Sequence, residues 1–245
     1  VSLGSQHVPA SELLDNAVVN LRCIDWLKME TMDFADHSAD VNSYALSRPL
    51  KHHEQIDFFM SHSWHDDPEI KKAALVEVAR EFYESHHRWP TFWLDKVCID
   101  QDNIGDGLKV LPVYVMACKE MLVLCGPTYT KRLWCAWELF TLFSFSSFKQ
   151  AVSRVHITVL LTQKEREKKQ KMMTAYAREH PDEVFRRGTI PGSDPLMDSL
   201  MKFRVSDAHC YDPNEEAKLR SVIAAVGESR FEQSIRAAAK AVLSS

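Results

Sequence analysis

Glu138 is the only charged side chain in the apolar stretch from Leu133 to Phe148 (LWCAWELFTLFSFSSF). Such a stretch is expected to fold as a buried helix, and an uncompensated carboxylate inside a protein is costly. Two arrangements remove the cost. Either the acid is neutralised by a basic neighbour, Arg132 or Lys131, or it protrudes at the mouth of a crevice where a ligand meets it. On a helix Trp134 stands one turn before Glu138 on the same face, so an indole accompanies the acid in both cases. Taken alone, Trp134 is first of all a packing residue.

Other groups have weaker claims. His62, His65, Asp66 and Asp67 are suitable ligand types for a divalent ion. They lack a second ligand cluster at a defined spacing, and Asp67 reads as a helix cap, so no metal site is expected. Cys98 and His62 fall at the ends of neighbouring strands, where a Cys/His nucleophile is conceivable, but the apolar flanks of Cys98 favour packing. The basic run Lys164 to Lys171 contains Glu165 and Glu167 and reads as a solvated helix face, not a nucleic-acid patch.

Positioning these residues takes alternating strands and helices. IDFFM (Ile56–Met60) is an apolar run that ends in small polar residues, as a central parallel strand does. Asp67 and Pro68 supply an N-cap and a first-turn proline for a helix running to about His87, with Ile70, Ala74, Val78 and Phe82 as its apolar stripe. TFWLD (Thr91–Asp95) forms the second strand. A polar loop, Asp100 to Gly107, leads to a helix over about Lys109 to Lys119. MLVLC (Met121–Cys125) forms the third strand, a helix covers about Lys131 to Phe148, and VHITVLL (Val155–Leu161) is the fourth strand. Gln163 to His180 reads as a solvated helix. Phe203 to Tyr211 is expected to be a fifth strand, and Asp212-Pro213 opens further helix ending with Phe231, Ile235 and Val242 on its apolar side. Ahead of all this, Leu14, Val18, Leu21 and Ile24 recur at helical spacing over Ser11 to Met32, followed by a linker from Asp33 to Gln55.

The alternation predicts a doubly wound α/β fold with five parallel strands in the order 2-1-3-4-5. The order reverses between the first and third strands, and ligands of such folds sit beyond the carboxyl ends at that point. Ser61 to Trp64 would then face Gly126 to Glu138.

Three segments carry a family resemblance. YTKRLWCAWEL (Tyr129–Leu139) resembles the Toll/interleukin-receptor (TIR) pattern Y-x-x-S-x-W-C-x-x-E-L, with Lys131 and Arg132 replacing part of its serine region. DFFMSHSW (Asp57–Trp64) resembles the first-strand motif D-[VI]-F-[IL]-S-[YF], with His62 where an aromatic is common. WLDKVCIDQ (Trp93–Gln101) looks like the W-[IL]-D-x-x-C-I-x-Q signature of heterokaryon-incompatibility domains, themselves similar to TIR domains. The resemblance covers Gln55 to Leu161 well and continues loosely to the C-terminus. It implies a flavodoxin-like TIR-like domain over 55–245 with a helical insertion at about 163–202, and residues 1–54 as an N-terminal helix and linker packed on it.

Enzymatic members of the family cleave the nicotinamide–ribose bond of NAD, giving ADP-ribose or its cyclic form, and their catalytic glutamate matches Glu138. Others are signalling adaptors that self-associate. The resemblance therefore implies NAD as substrate with no permanent cofactor, partners among copies of itself or other TIR-like domains, and a place in stress, immune or cell-death signalling. Trp134, Phe59, Ser61, His62 and Asp100, in the loop after the second strand, are the candidate contacts to the nucleotide.

Composition agrees with an ordinary globular protein. The chain has 245 residues, 45% hydrophobic and 26% charged, with a formal net charge of -4 that gives phosphate no general attraction. The six cysteines form no C-x-x-C pair and lie in apolar segments, which suggests reduced thiols in the cytoplasm. Val1 to Ala10 shows no signal peptide and suggests a truncated or processed start, and Leu133 to Phe148 is shorter than the roughly 20 residues of a membrane span.

Overall fold

The computed structural model describes residues 15, 17–35, 41–99, 107–179 and 195–244. Among them a six-stranded, mostly parallel sheet runs in the order β2-β1-β4-β3-β5-β6. Its centre is β3 (Ile56–His62), buried along its whole length, between β4 (Thr91–Trp93) and β5 (Cys118–Cys125). β3 pairs in parallel with both neighbours, and β6 (Val155–Val159) extends the ladder beyond β5. In chain order these four strands stand as second, first, third and fourth, so the reversal lies between β3 and β5 as expected.

Each crossover is set by local chemistry. Helix α3 (Pro68–His86) starts where the Asp67 side chain accepts from the backbone N–H groups of Glu69 and Ile70 at 2.9 and 3.0 Å, with Pro68 in the first turn. It stops at His87, whose left-handed φ of 54° closes the last turn onto Tyr83. After β4 comes a short helix α4 (Asp95–Cys98), so the second strand ends before Asp95. Helix α5 (Gly107–Ala117) leads into β5. A 3-10 turn over Tyr129–Lys131 precedes α6 (Leu133–Phe145), and α7 (Phe148–Arg154) starts at a Ser147/Gln150 capping box. Helix α8 (Gln163–Glu179) is solvated, pinned by Arg166 to Glu77 at 2.7 Å.

The N-terminal region departs from expectation. Residues 22–25 form a strand, β1 (Arg22–Asp25), between β4 and the edge strand β2, where a long helix was expected. It is antiparallel to β4 and to the two-residue β2 (Arg48–Pro49), inside the stretch read as linker. Cys23 and Ile24 are wholly buried in this pairing, which satisfies the open edge of β4 and overrides the helical spacing. Arg48 ties the edge down by bonding Asp25 at 2.7 Å and Glu54 at 2.7 Å, and its bonds hold the Glu54 carboxyl down at about 2. Short helices α1 (Trp26–Met29) and α2 (Val41–Tyr44) fill the remainder.

The expected fifth strand is absent from Phe203 to Tyr211. The segment carries a 3-10 turn (Val205–Asp207) and a single bridge, Arg132 to His209. His209 O accepts from Leu133 N at 3.0 Å and His209 N donates to Lys131 O at 2.8 Å. Its apolar residues Phe203, Val205 and Ala208 are buried under the helices α10 (Pro213–Val226) and α11 (Glu228–Ser244), not in a ladder. Helix α9 (Pro195–Met201) packs on α11, and Phe231 of α11 lies 4.7 Å from the Phe140 ring on α6. The C-terminal helices thus grip the back of α6.

Candidate active site

Glu138 projects from α6 to the carboxyl end of β3, where its Oε2 accepts a 2.6 Å hydrogen bond from Ser61 Oγ. Ser61 Oγ also lies 2.8 Å from Tyr129 OH. Tyr129 OH also lies 3.4 Å from the Cys135 carbonyl oxygen, to which it can donate. The result is a short chain, Tyr129 to Ser61 to Glu138, in which the first two members are fully buried. Among the described residues Glu138 has no ion pair, so neither Lys131 nor Arg132 neutralises it. Its second oxygen, Oε1, makes no hydrogen bond among the described residues.

The residue is half-buried overall, while its carboxyl is packed about by protein. Burial pushes the carboxyl up to about 8, against the Ser61 hydrogen bond that pulls it down, and the nearby Asp95 charge raises it further. Asp95 is itself shifted upward by burial, though Lys96 N at 2.6 Å and Trp64 Nε1 at 3.4 Å donate to it. The Asp95 carboxyl on the other side of β3 thus adds to the resistance of Glu138 to ionisation.

Beside this pair the β3–β5 reversal is built tightly. Thr128 donates its backbone N–H to Asp66 at 2.9 Å and sets its hydroxyl between Ser63 Oγ, at 2.7 Å, and Asp66, at 2.8 Å. Gly126 is required there, because a Cβ would overlap the Asp66 carboxylate. Lys71, fully buried, donates to Ser63 O at 3.1 Å and Trp64 O at 3.3 Å, and burial pulls its ammonium down to about 8. Ser61 to Trp64 do meet the segment from Gly126 to Glu138.

The nucleotide contacts expected from sequence are placed unevenly. Ser61 joins Glu138. Trp134 is half-buried on α6 and gives its indole N–H to Glu215 at 2.9 Å. Phe59 is a core residue, wholly buried and stacked on Trp93 at 4.7 Å, which corrects its reading as a crevice wall. His62 is buried against Trp64 at 4.4 Å, neither ring nitrogen makes a well-formed hydrogen bond, and burial holds it well below its ordinary range. Asp100 lies outside the described residues, as does most of the loop leading to Gly107. Among the described residues no three ligand-type side chains assemble for a metal ion. Burial pushes the Cys98 thiol up to about 12, the wrong direction for a nucleophile.

Sequence reasoning missed Tyr129, Asp95 and Glu215. Tyr129 and Asp95 stand inside the motifs quoted above, but their partners lie on other strands. Two surface hollows, one along α8 beside Lys171 and one between Met32 and Pro68, are away from Glu138. The first is the open flank of a solvated helix and offers no chemistry comparable to the desolvated acid. Among the described residues no helix is long and apolar enough to cross a membrane. Compared with protein-family models, curated proteins and solved structures, the chain matches none.

Proposed function

We propose that this protein cleaves the nicotinamide–ribose bond of NAD, with Glu138 as its catalytic carboxylate. The observation that carries the reading is the carboxyl itself: a desolvated acid at the β3–β5 reversal, one oxygen fixed by Ser61, the other unpartnered and no cation neutralising it among the described residues. Nicotinamide departs from a pyridinium as a neutral molecule, taking both electrons of the C1′–N bond, and needs no proton donor. Positive charge grows on the ribose. An ionised Glu138 stabilises it, and water then adds at C1′, releasing one proton and completing ADP-ribose. Bringing the cationic ring of NAD next to Glu138 favours the ionised form, so the substrate helps to create the charge that acts on it.

The test is nicotinamide release by concentrated protein incubated with NAD, with Glu138→Ala as control. Absence of release from assembled or concentrated wild-type protein contradicts the reading. Ser61→Ala supplies a sharper check. Its hydrogen bond favours the ionised carboxyl, and bonds to charged groups contribute about 1.5–3 kcal/mol, so the rising limb of kcat/KM should move about one to two pH units higher. An unmoved limb means that Ser61 does not govern the acid.

One observation favours a second reading, an adaptor that signals by self-association. Phe145 (60%) and Phe148 (53%) are strongly exposed beside Met116 at one end of α5, α6 and α7. A large exposed apolar patch marks an interaction surface. Sedimentation over a range of concentrations tests it, with Phe145→Ser expected to abolish any association.

A further inference from the structure

Trp134 precedes Glu138 by one turn, yet its indole N–H is satisfied neither by α6 nor by the sheet. It is donated to Glu215 Oε2, at 2.9 Å, in the first turn of α10. Glu215 makes no other hydrogen bond or ion pair among the described residues. Its neighbour Glu216 is fully committed: it accepts from Cys210 N at 2.9 Å and from Arg220 at 2.8 Å, and it meets His209 at 3.2 Å. Those bonds fasten the 209–216 segment, and Asp212 caps the helix by accepting from Asn214 N at 2.8 Å. Glu215 is thus presented on a fixed turn with one protein partner, an indole.

The C-terminal region meets α6 and its approach on both sides of that contact. His209 exchanges backbone hydrogen bonds with Lys131 and Leu133, and Phe231 stacks on Trp137 at 6.1 Å and 16°. These contacts hold the helix. The Glu215 bond does something they cannot, because it fixes the rotation of one half-buried aromatic ring one helical turn before Glu138 on α6. A bond from an N–H to a carboxylate is charge-assisted and directional, so it sets the plane of the indole as well as its position.

Resting on the NAD reading above, we propose that Glu215 is a positioning residue: it orients the Trp134 indole as the flat wall against which the ribose or nicotinamide of the substrate packs beside Glu138. The C-terminal helices then contribute to substrate binding without touching substrate. Glu215 should act on KM and leave the chemical step alone.

The test uses the full chain and follows nicotinamide release from NAD, with thermal melting of each variant alongside. Glu215→Ala should raise KM about tenfold and leave kcat within about twofold, as expected when one charge-assisted bond that orders a binding surface is lost. Glu215→Gln keeps an acceptor oxygen for the indole and should restore most of the wild-type KM. Trp134→Phe keeps a ring but lacks the N–H. It should raise KM as Glu215→Ala does, and the double variant should be no worse than either single one. If Glu215→Ala melts below the assay temperature, Trp134→Phe carries the comparison. A wild-type KM in Glu215→Ala, failure of Glu215→Gln to rescue, or additive effects would overturn the proposal while leaving the NAD reading intact. No nicotinamide release from the wild-type protein would remove both.

Discussion

Glu138→Gln is expected to abolish nicotinamide release while making the protein more stable. The activity loss follows from charge: the amide keeps the shape and can still accept from Ser61, but it cannot stabilise a cationic ribose, and groups acting only in the transition state are commonly worth about 10²–10³ or more in kcat. The stability gain follows from linkage. Glu138 has its folded-state value raised from 4.5 to about 8. Below the unfolded value both states hold the proton. As pH rises from there to about 8 the unfolded chain releases a proton that the folded chain keeps, so stability falls across that window and levels off above it. At pH 7 the deficit is on the order of 3 kcal/mol, at about 1.4 kcal/mol per unit. Glutamine has no such deficit, and its melting midpoint should lie about 5–10 °C above wild type at neutral pH, with the difference disappearing near pH 4. Thermal melts of both proteins from pH 4 to 9 check this. Equal midpoints at pH 8 would mean that the carboxyl is not desolvated.

Asp57→Ala is expected to destabilise the fold by about 1.5–3 kcal/mol, the contribution typical of hydrogen bonds to a charged group, since the cations left behind, Arg88 and Lys119, are half exposed and regain water. Asp57 is 1% exposed, and Arg88 grips it from two nitrogens at 2.6 and 2.7 Å while Lys119 adds a contact at 3.1 Å. Thr91 donates both its N–H, at 3.0 Å, and its hydroxyl, at 3.1 Å. Burial alone would raise this carboxyl, but the bonds from Arg88, Thr91 and Lys119 outweigh it and hold it below the ordinary range. The stabilisation is therefore present above the unfolded value and is lost as pH falls through the folded one. Urea titrations at pH 7 and at successively lower pH measure it: the disadvantage of the variant should begin to shrink once pH falls below the ordinary carboxylate value of 3.8. The residue stands at the start of β3, far along the strand from Ser61, so its effect is on the sheet and not on the acid.

These two carboxylates show how far the sequence was legible. Glu138 announced itself because a single charge inside LWCAWELFTLFSFSSF has few bland explanations, and the Asp67-Pro68 and Asp212-Pro213 starts were readable because capping is local chemistry. β3, β5 and β6 were visible as apolar runs. Strand β1 was not, since its apolar spacing also fits a helix, and only the otherwise open side of β4 decides between the two. The supposed fifth strand failed for a related reason: its buried residues face helices α10 and α11, and alternation of apolar and polar residues does not say what covers them. In the site, Ser61 and Glu138 were both named, but the bond between them spans 77 positions of sequence, and that from Trp134 to Glu215 spans 81. No local pattern encodes such pairs.

The pH dependence of nicotinamide release tests the central claim most directly. With Glu138 protonated in the free protein below about 8, kcat/KM should climb tenfold per unit through neutral pH and reach a plateau above that value. The limb of kcat should lie lower, because bound cationic substrate favours the ionised acid. A rate that is flat from pH 5 to 9, or that falls as pH rises, would show that an ionised Glu138 is not the working group.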